Sequence, residues 1–270
     1  MKKLFKPLLT IALVFLFSTT AHASSLAVPN YEVKFLMNTS SILDSSGNLS
    51  NKVISTFNIS SYKNLNVEYL DTNNLDLNKE GWIVRLRKFD GDDSTKLTYK
   101  KRYTISNGNI DTALETAADD GFDGDNDNYS AQIDWGYETQ TLSFSDNKQF
   151  SLYNYSGIEL PNNEDAIKEA IYNIPGKLNK WLYHGWAQEQ LNSAVLYGPY
   201  SGKRYIGQLN GLKIELETYN VNNNYIAEIS FKTDKYEDAS NQRQQLLNLL
   251  DSNGWLVKSD ESKTGIMLGE

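Results

Sequence analysis

The chain has no cysteine and only two histidines in 270 residues. Without cysteine there is no disulfide, no thiolate nucleophile and no thiolate metal site. The two histidines, His22 and His184, leave little room for His-rich zinc sites or a Ser-His-Asp mechanism. His184 stands among Trp181, Tyr183 and Trp186, as a packed or surface residue would. Proline is scarce, at five residues, and no Gly/Ser-rich spacer marks a domain boundary. There is no Walker-type glycine loop and no dinucleotide fingerprint, so any phosphate recognition must come from side chains. The one long apolar run, Pro7 to Phe17, is shorter than the ~20 residues a spanning helix needs.

That run has a specific setting. Lys2, Lys3 and Lys6 precede it, and Ala21 and Ala23 follow at A-x-A spacing. The pattern predicts a secretory signal peptide over residues 1–23, cleaved near Ala23, and an exported, periplasmic or extracellular protein. Residues 24–270 are then expected to form one domain, with a helical insertion around 163–196. The whole chain has 26 Lys and Arg against 34 Asp and Glu, a net charge of −8. Loss of the leader removes three lysines and takes the net charge to −11. An acid excess of that size excludes nonspecific nucleic-acid binding, and no membrane span is expected after the leader.

What the chain does have is strand-like alternation. Tyr31, Val33 and Phe35 alternate with Glu32 and Lys34. Trp82, Val84 and Leu86 share one face, and Arg85 and Arg87 the other. In 96–102, Lys96, Thr98, Lys100 and Arg102 oppose Leu97 and Tyr99. Further strands are expected at 67–71, 129–135, 139–144, 203–209, 212–219 and 225–232. Helices are predicted at 163–173, 178–196 and 238–250, an acidic loop at 115–128 and a short hairpin in the tail. The fold class is α+β: an eight-stranded antiparallel barrel or tunnel with flanking helices. A charged sheet face is often just a solvated one. Here, however, the signs segregate: Arg and Lys on the middle strands, Glu32, Glu215, Glu217 and Glu228 on the first and last. That division suits a polyanion bridged by a divalent cation.

These segments resemble the CYTH superfamily, the triphosphate tunnel metalloenzymes. The resemblance runs through Asn30-Tyr-Glu32-Val-Lys34, Tyr69-Leu-Asp-Thr72, Val84-Arg-Leu-Arg87 and Lys96-Leu-Thr-Tyr-Lys100. It continues through Lys203-Arg204, Glu215-Leu-Glu217 and Ala227-Glu-Ile-Ser230, and so covers residues 30 to about 232. It implies a tunnel in which Lys34, Arg85, Arg87, Lys100 and Arg204 contact phosphate oxygens. It also implies Mg²⁺ or Mn²⁺ held by Glu32, Glu217 and Glu228, with Glu215 as a further candidate. The implied reaction is metal-assisted hydrolysis of a triphosphate or polyphosphate phosphoanhydride. Asn30 and Ser230 replace expected glutamates with neutral groups, and Gly202 stands where a lysine is common. A non-catalytic phosphate-binding or partner-binding protein is the alternative, with a glycan-binding protein third. Asp123, Asp125 and Asp127 also resemble the start of a Ca²⁺ loop, although Asn128 replaces its turn glycine.

Overall fold

The computed structural model describes residues 25–125 and 128–270, so the predicted leader lies outside the described residues. In chain order the first elements are β1 (Asn30–Leu36), α1 (Thr39–Ile42), α2 (Asn51–Thr56), β2 (Ser61–Asp71), α3 (Asp76–Lys79), β3 (Trp82–Phe89) and β4 (Thr95–Ile105). Next come α4 (Ile110–Asp119), β5 (Ser130–Trp135), β6 (Gln140–Phe150), α5 (Asn163–Tyr172), α6 (Gly176–Asn179) and α7 (Trp186–Asn192). The chain finishes with β7 (Val195–Leu209), β8 (Leu212–Val221), β9 (Asn224–Thr233), α8 (Tyr236–Ser252) and α9 (Lys263–Leu268).

The strands close into a barrel in the order β1-β5-β6-β4-β3-β2-β7-β8-β9. The expected eight antiparallel strands are therefore nine among the described residues, and the sheet is mixed. An odd number of strands cannot alternate direction all the way round a closed sheet. The unavoidable parallel pair is β1 with β5, with Glu32 beside Asp134. All the other neighbours are antiparallel.

Period-two alternation gives this barrel an apolar outside and a charged inside. On one side, Val84, Leu86, Leu97 and Tyr99 are buried under α4, α5 and α7, whose Leu114, Ala170 and Leu191 face them. The Tyr99 hydroxyl donates 2.6 Å to the Ala170 carbonyl and ties α5 to β4. On the other side, Val33, Phe35, Leu216 and Ile229 pack with Val53 of α2 and Leu246 and Leu250 of α8. Away from the end where Met267 and Leu268 pack, the inner face is left to polar and charged side chains.

Three predicted elements differ. Residues 110–119 form helix α4 where an acidic loop was expected to begin; Asn109 caps it by accepting from the Thr112 amide at 3.2 Å. The helix expected over 178–196 is broken, because Gly185 takes a left-handed φ of 90° between α6 and α7. The tail is helix α9, not a hairpin, and Ser262 caps it by accepting from the Gly265 amide at 2.8 Å.

Candidate functional site

The inward positions of the barrel enclose one cavity of about 520 Å³. All nine predicted site residues line it: Lys34, Glu32, Arg85, Arg87, Lys100, Arg204, Glu215, Glu217 and Glu228. Lys96, Arg102, Lys232 and Lys263 join them. The lining holds nine lysines and arginines against four glutamates, a formal excess of five positive charges in a chain of net −8. Even with Asp134, buried between two of these lysines, the excess is four.

One end of the barrel is filled from within. Met267 and Leu268 of α9 pack against Val67, Tyr69, Ile83 and Tyr219. The Tyr200 hydroxyl donates 2.7 Å to the Met267 carbonyl and pins the helix there.

Charges inside the cavity fall into paired and unpaired groups. Arg204 donates to Glu217 through Nε at 2.7 Å and Nη2 at 2.5 Å. Glu217 also meets Arg87 at 3.5 Å, Lys263, and the Tyr219 hydroxyl, which donates at 3.0 Å. Burial opposes charge on Glu217, but Lys263, Arg87 and Arg204 together hold its carboxyl well below the usual range. Arg87 and Arg204 lie over the Phe89 ring, 5.0 and 4.4 Å from its centroid, which restricts both guanidinium planes. Deeper on β5, Asp134 bridges Lys34 and Lys100 at 3.4 Å each. Burial opposes its charge too, but Lys100 and Lys34 depress its pKa well below the ordinary carboxylate value.

The remaining cations are poorly neutralised. Among the described residues, Arg85, Lys96 and Arg102 form no ion pair. Among the described residues, the Nε atoms of Arg85 and Arg87 are buried without a hydrogen-bond partner. Arg87 stands directly across from Lys96 in the β3–β4 register, and facing like charges repel. Burial, then Arg87 and Arg85, pushes Lys96 down to about 8. Burial likewise lowers Lys100 to about 8 against the opposing pull of Asp134. A protein that holds Arg85, Lys96 and Arg102 together without ion pairs among the described residues has a site suited to anionic oxygens.

No protein-family model and no curated protein matches the sequence. Solved structures do. The chain is similar to a putative adenylyl cyclase, HpAC1 from Hippeastrum, described as having a dominant triphosphatase activity. The two are 16% identical with a TM-score of 0.50, and the match covers 88% of this chain and 94% of that one. The chain has the CYTH tunnel fold. A putative adenylate cyclase from Bacillus halodurans also matches, at 14% identity and a TM-score of 0.48, over 90% of this chain and 97% of that chain.

A CYTH tunnel raises the question of a divalent metal, and the carboxylates here do not fit one. Among the described residues, no three acidic or histidine side chains converge into a metal-binding group. Each expected ligand already has a protein cation or donor. Glu32 accepts from Gln132 Nε2 at 2.7 Å and lies 3.7 Å from Lys232. Glu215 meets Lys213 at 2.6 Å and Arg204 at 3.5 Å. Glu217 and Glu228 share Lys263. At the Ca²⁺-like loop, Asp123 Oδ1 accepts from the Asp125 amide, and Ser25 donates to Asp125 at 3.2 Å. Asp127 lies outside the described residues.

Sequence reasoning did not place Lys263, Lys232 or Asp134 in the site. Asp134 alternates with Gln132 and Ser130 on β5, so its face was readable once that strand was placed. Lys263 had one local signal, a Ser262 cap before an apolar Ile266-Met-Leu268 run. Gly202, where a lysine was expected, has a steric reason: a Cβ there would run into the Thr218 carbonyl and the Tyr219 ring. His184 is exposed and does not line the cavity.

Proposed function

We propose that this protein binds a linear triphosphate or short polyphosphate in its tunnel. The observation that carries this reading is the set of unpaired cations, Arg85, Lys96 and Arg102, beside buried and unsatisfied guanidinium nitrogens. A terminal phosphoryl group brings about −1.5 to −2 charge and three strong acceptor oxygens. Several linked phosphates would meet the cations of β3 and β4 in succession and relieve the Arg87–Lys96 repulsion. A glycan would leave that excess charge unanswered.

Hydrolysis of the bound chain is the second reading, favoured by the described triphosphatase activity of HpAC1, which shares the fold. In that reaction a water oxygen bonds to the terminal phosphorus. The bridging P–O bond breaks, the leaving phosphate chain takes the electron pair, and the water's proton passes to that chain or to solvent. Charge grows on the oxygens in flight, where guanidinium and ammonium donors would stabilise it. We place the protein outside the cytoplasm on the strength of its predicted leader.

Tripolyphosphate should raise the melting temperature of the mature protein in a saturable way that orthophosphate at equal ionic strength does not reproduce. No shift would reject the binding reading. Release of orthophosphate from tripolyphosphate, in parallel samples with Mg²⁺, Mn²⁺ or EDTA, decides between the binding protein and the hydrolase. Release that disappears in the Arg87→Ala variant supports hydrolysis; a thermal shift without release leaves binding alone.

A further inference from the structure

We infer that Lys263 is a built-in cation that takes the place of a divalent metal on the Glu217–Glu228 pair, so that this tunnel grips phosphate chains without metal. The inference rests on the phosphate-binding reading above for its ligand, but not for its ion pairs.

Glu217 and Glu228 stand directly opposite each other in the β8–β9 register. Two facing carboxylates repel and need a cation between them. Mg²⁺ sites in phosphate chemistry are commonly built this way, from one or two carboxylates plus the substrate's own oxygens. Here the space between them is taken. The Lys263 ammonium bonds Glu217 Oε2 and lies 2.9 Å from Glu228 Oε1, with only 14% of its side chain exposed. An ammonium has three donors. Two serve the carboxylates, and Lys263 also lines the cavity, where the third can reach a phosphate oxygen.

The lysine is held in place. It opens α9, whose Met267 and Leu268 are buried in the barrel end, and Tyr200 fixes the Met267 carbonyl. That plug fixes the backbone from which the lysine extends, and the centre of the Tyr219 ring lies 5.2 Å from its ammonium. Two further positions agree with the loss of a metal: Asn30 and Ser230 line the same cavity with neutral side chains. A divalent ion on the pair would have to displace Lys263, and Asn30 and Ser230 would offer it only neutral groups.

The test compares wild type, Lys263→Met and Lys263→Arg, each stripped with EDTA and checked for folding by circular dichroism. Mn²⁺ alone is titrated against each and followed by electron paramagnetic resonance. Tripolyphosphate affinity is measured in EDTA and in Mn²⁺, corrected for the metal that free tripolyphosphate complexes. Wild type and Lys263→Arg should take up no Mn²⁺ and bind tripolyphosphate equally with or without it. Lys263→Met should retain Mn²⁺, lose about tenfold in affinity in EDTA, and recover it when Mn²⁺ is added. Mn²⁺ uptake by wild type, or tripolyphosphate binding by wild type only when metal is present, overturns the inference. Unchanged affinity of a folded Lys263→Met in EDTA overturns it as well. If Lys263→Met does not fold, the wild-type and Lys263→Arg titrations decide alone. If no form binds tripolyphosphate, the functional reading fails, while the Mn²⁺ titrations still decide the role of Lys263.

Discussion

Replacing Glu217 by glutamine is the most informative single perturbation of this barrel. The carboxylate is buried, and four groups converge on it: Arg204, Arg87, Lys263 and Tyr219. An amide keeps the shape and removes the charge. Leaving partners of a buried ion pair uncompensated costs about 3–5 kcal/mol. The lower end applies here, because Glu215 still lies 3.5 Å from Arg204 and Glu228 stays 2.9 Å from Lys263. For a domain of this size, each kcal/mol is about 2–4 °C in melting temperature, so a loss of about 3 kcal/mol lowers it by about 6–12 °C. The same change adds one positive charge to an already cationic cavity. A bound polyanion then replaces the missing carboxylate, and the variant should gain more from tripolyphosphate than wild type does. Thermal denaturation of both proteins, with and without saturating tripolyphosphate, reads both effects. A variant that melts within about 2 °C of wild type without ligand would refute the view that Glu217 neutralises the cation cluster.

Arg85→Ala should weaken tripolyphosphate binding by roughly 10–100-fold, the worth of a charged hydrogen bond. It should barely change the melting temperature, since Arg85 has no ion-pair partner among the described residues; isothermal calorimetry and a melt check both. Lys96 and Lys100, both lowered to about 8, are charged below that pH and lose their charge as pH rises through it. Tripolyphosphate affinity should therefore fall above pH 8, by up to about tenfold per pH unit for each lysine, as the titration of a required proton demands. An affinity flat from pH 7 to 10 would count against their role. Glu68 is a case outside the tunnel: buried at 1% exposure, its pKa is raised by burial from 4.5 to about 8. Its folded form holds a proton that the unfolded chain releases, so stability is full below pH 4.5 and declines up to about 8, by about 1.4 kcal/mol per pH unit. Glu68→Gln should match wild type at pH 4.5 and melt several degrees higher at pH 8; a lower melting point at pH 8 would contradict this.

The inner face was legible because strands of period two separate charge from apolar mass without ambiguity. Val84-Arg-Leu-Arg87 and Lys96-Leu-Thr-Tyr-Lys100 read the same way in sequence as in the barrel. Elements whose burial is shallow or interrupted were not legible. Helix α4 buries Ala113, Leu114 and Ala117, but Asp111, Glu115 and Asp119 between them make the segment look solvated. Strand β7 runs from Val195 to Leu209, but only its 203–209 part was read as a strand, because Gly198, Pro199 and Gly202 look like breaks. The register shift in its partner β2, between Val67 and Tyr69, absorbs that irregularity. The role of Lys263 was not legible for a different reason: it depends on a barrel end that does not exist until β2, β3 and β8 have closed around α9.

Isothermal titration of tripolyphosphate into the EDTA-treated protein, produced without its predicted leader, at pH 7 tests the central claim most directly. The account predicts saturable binding at one site per chain, lost stepwise in Arg85→Ala and in Arg85→Ala combined with Lys96→Ala. Absence of binding by the folded protein, or binding that both tunnel variants retain at full strength, would contradict it.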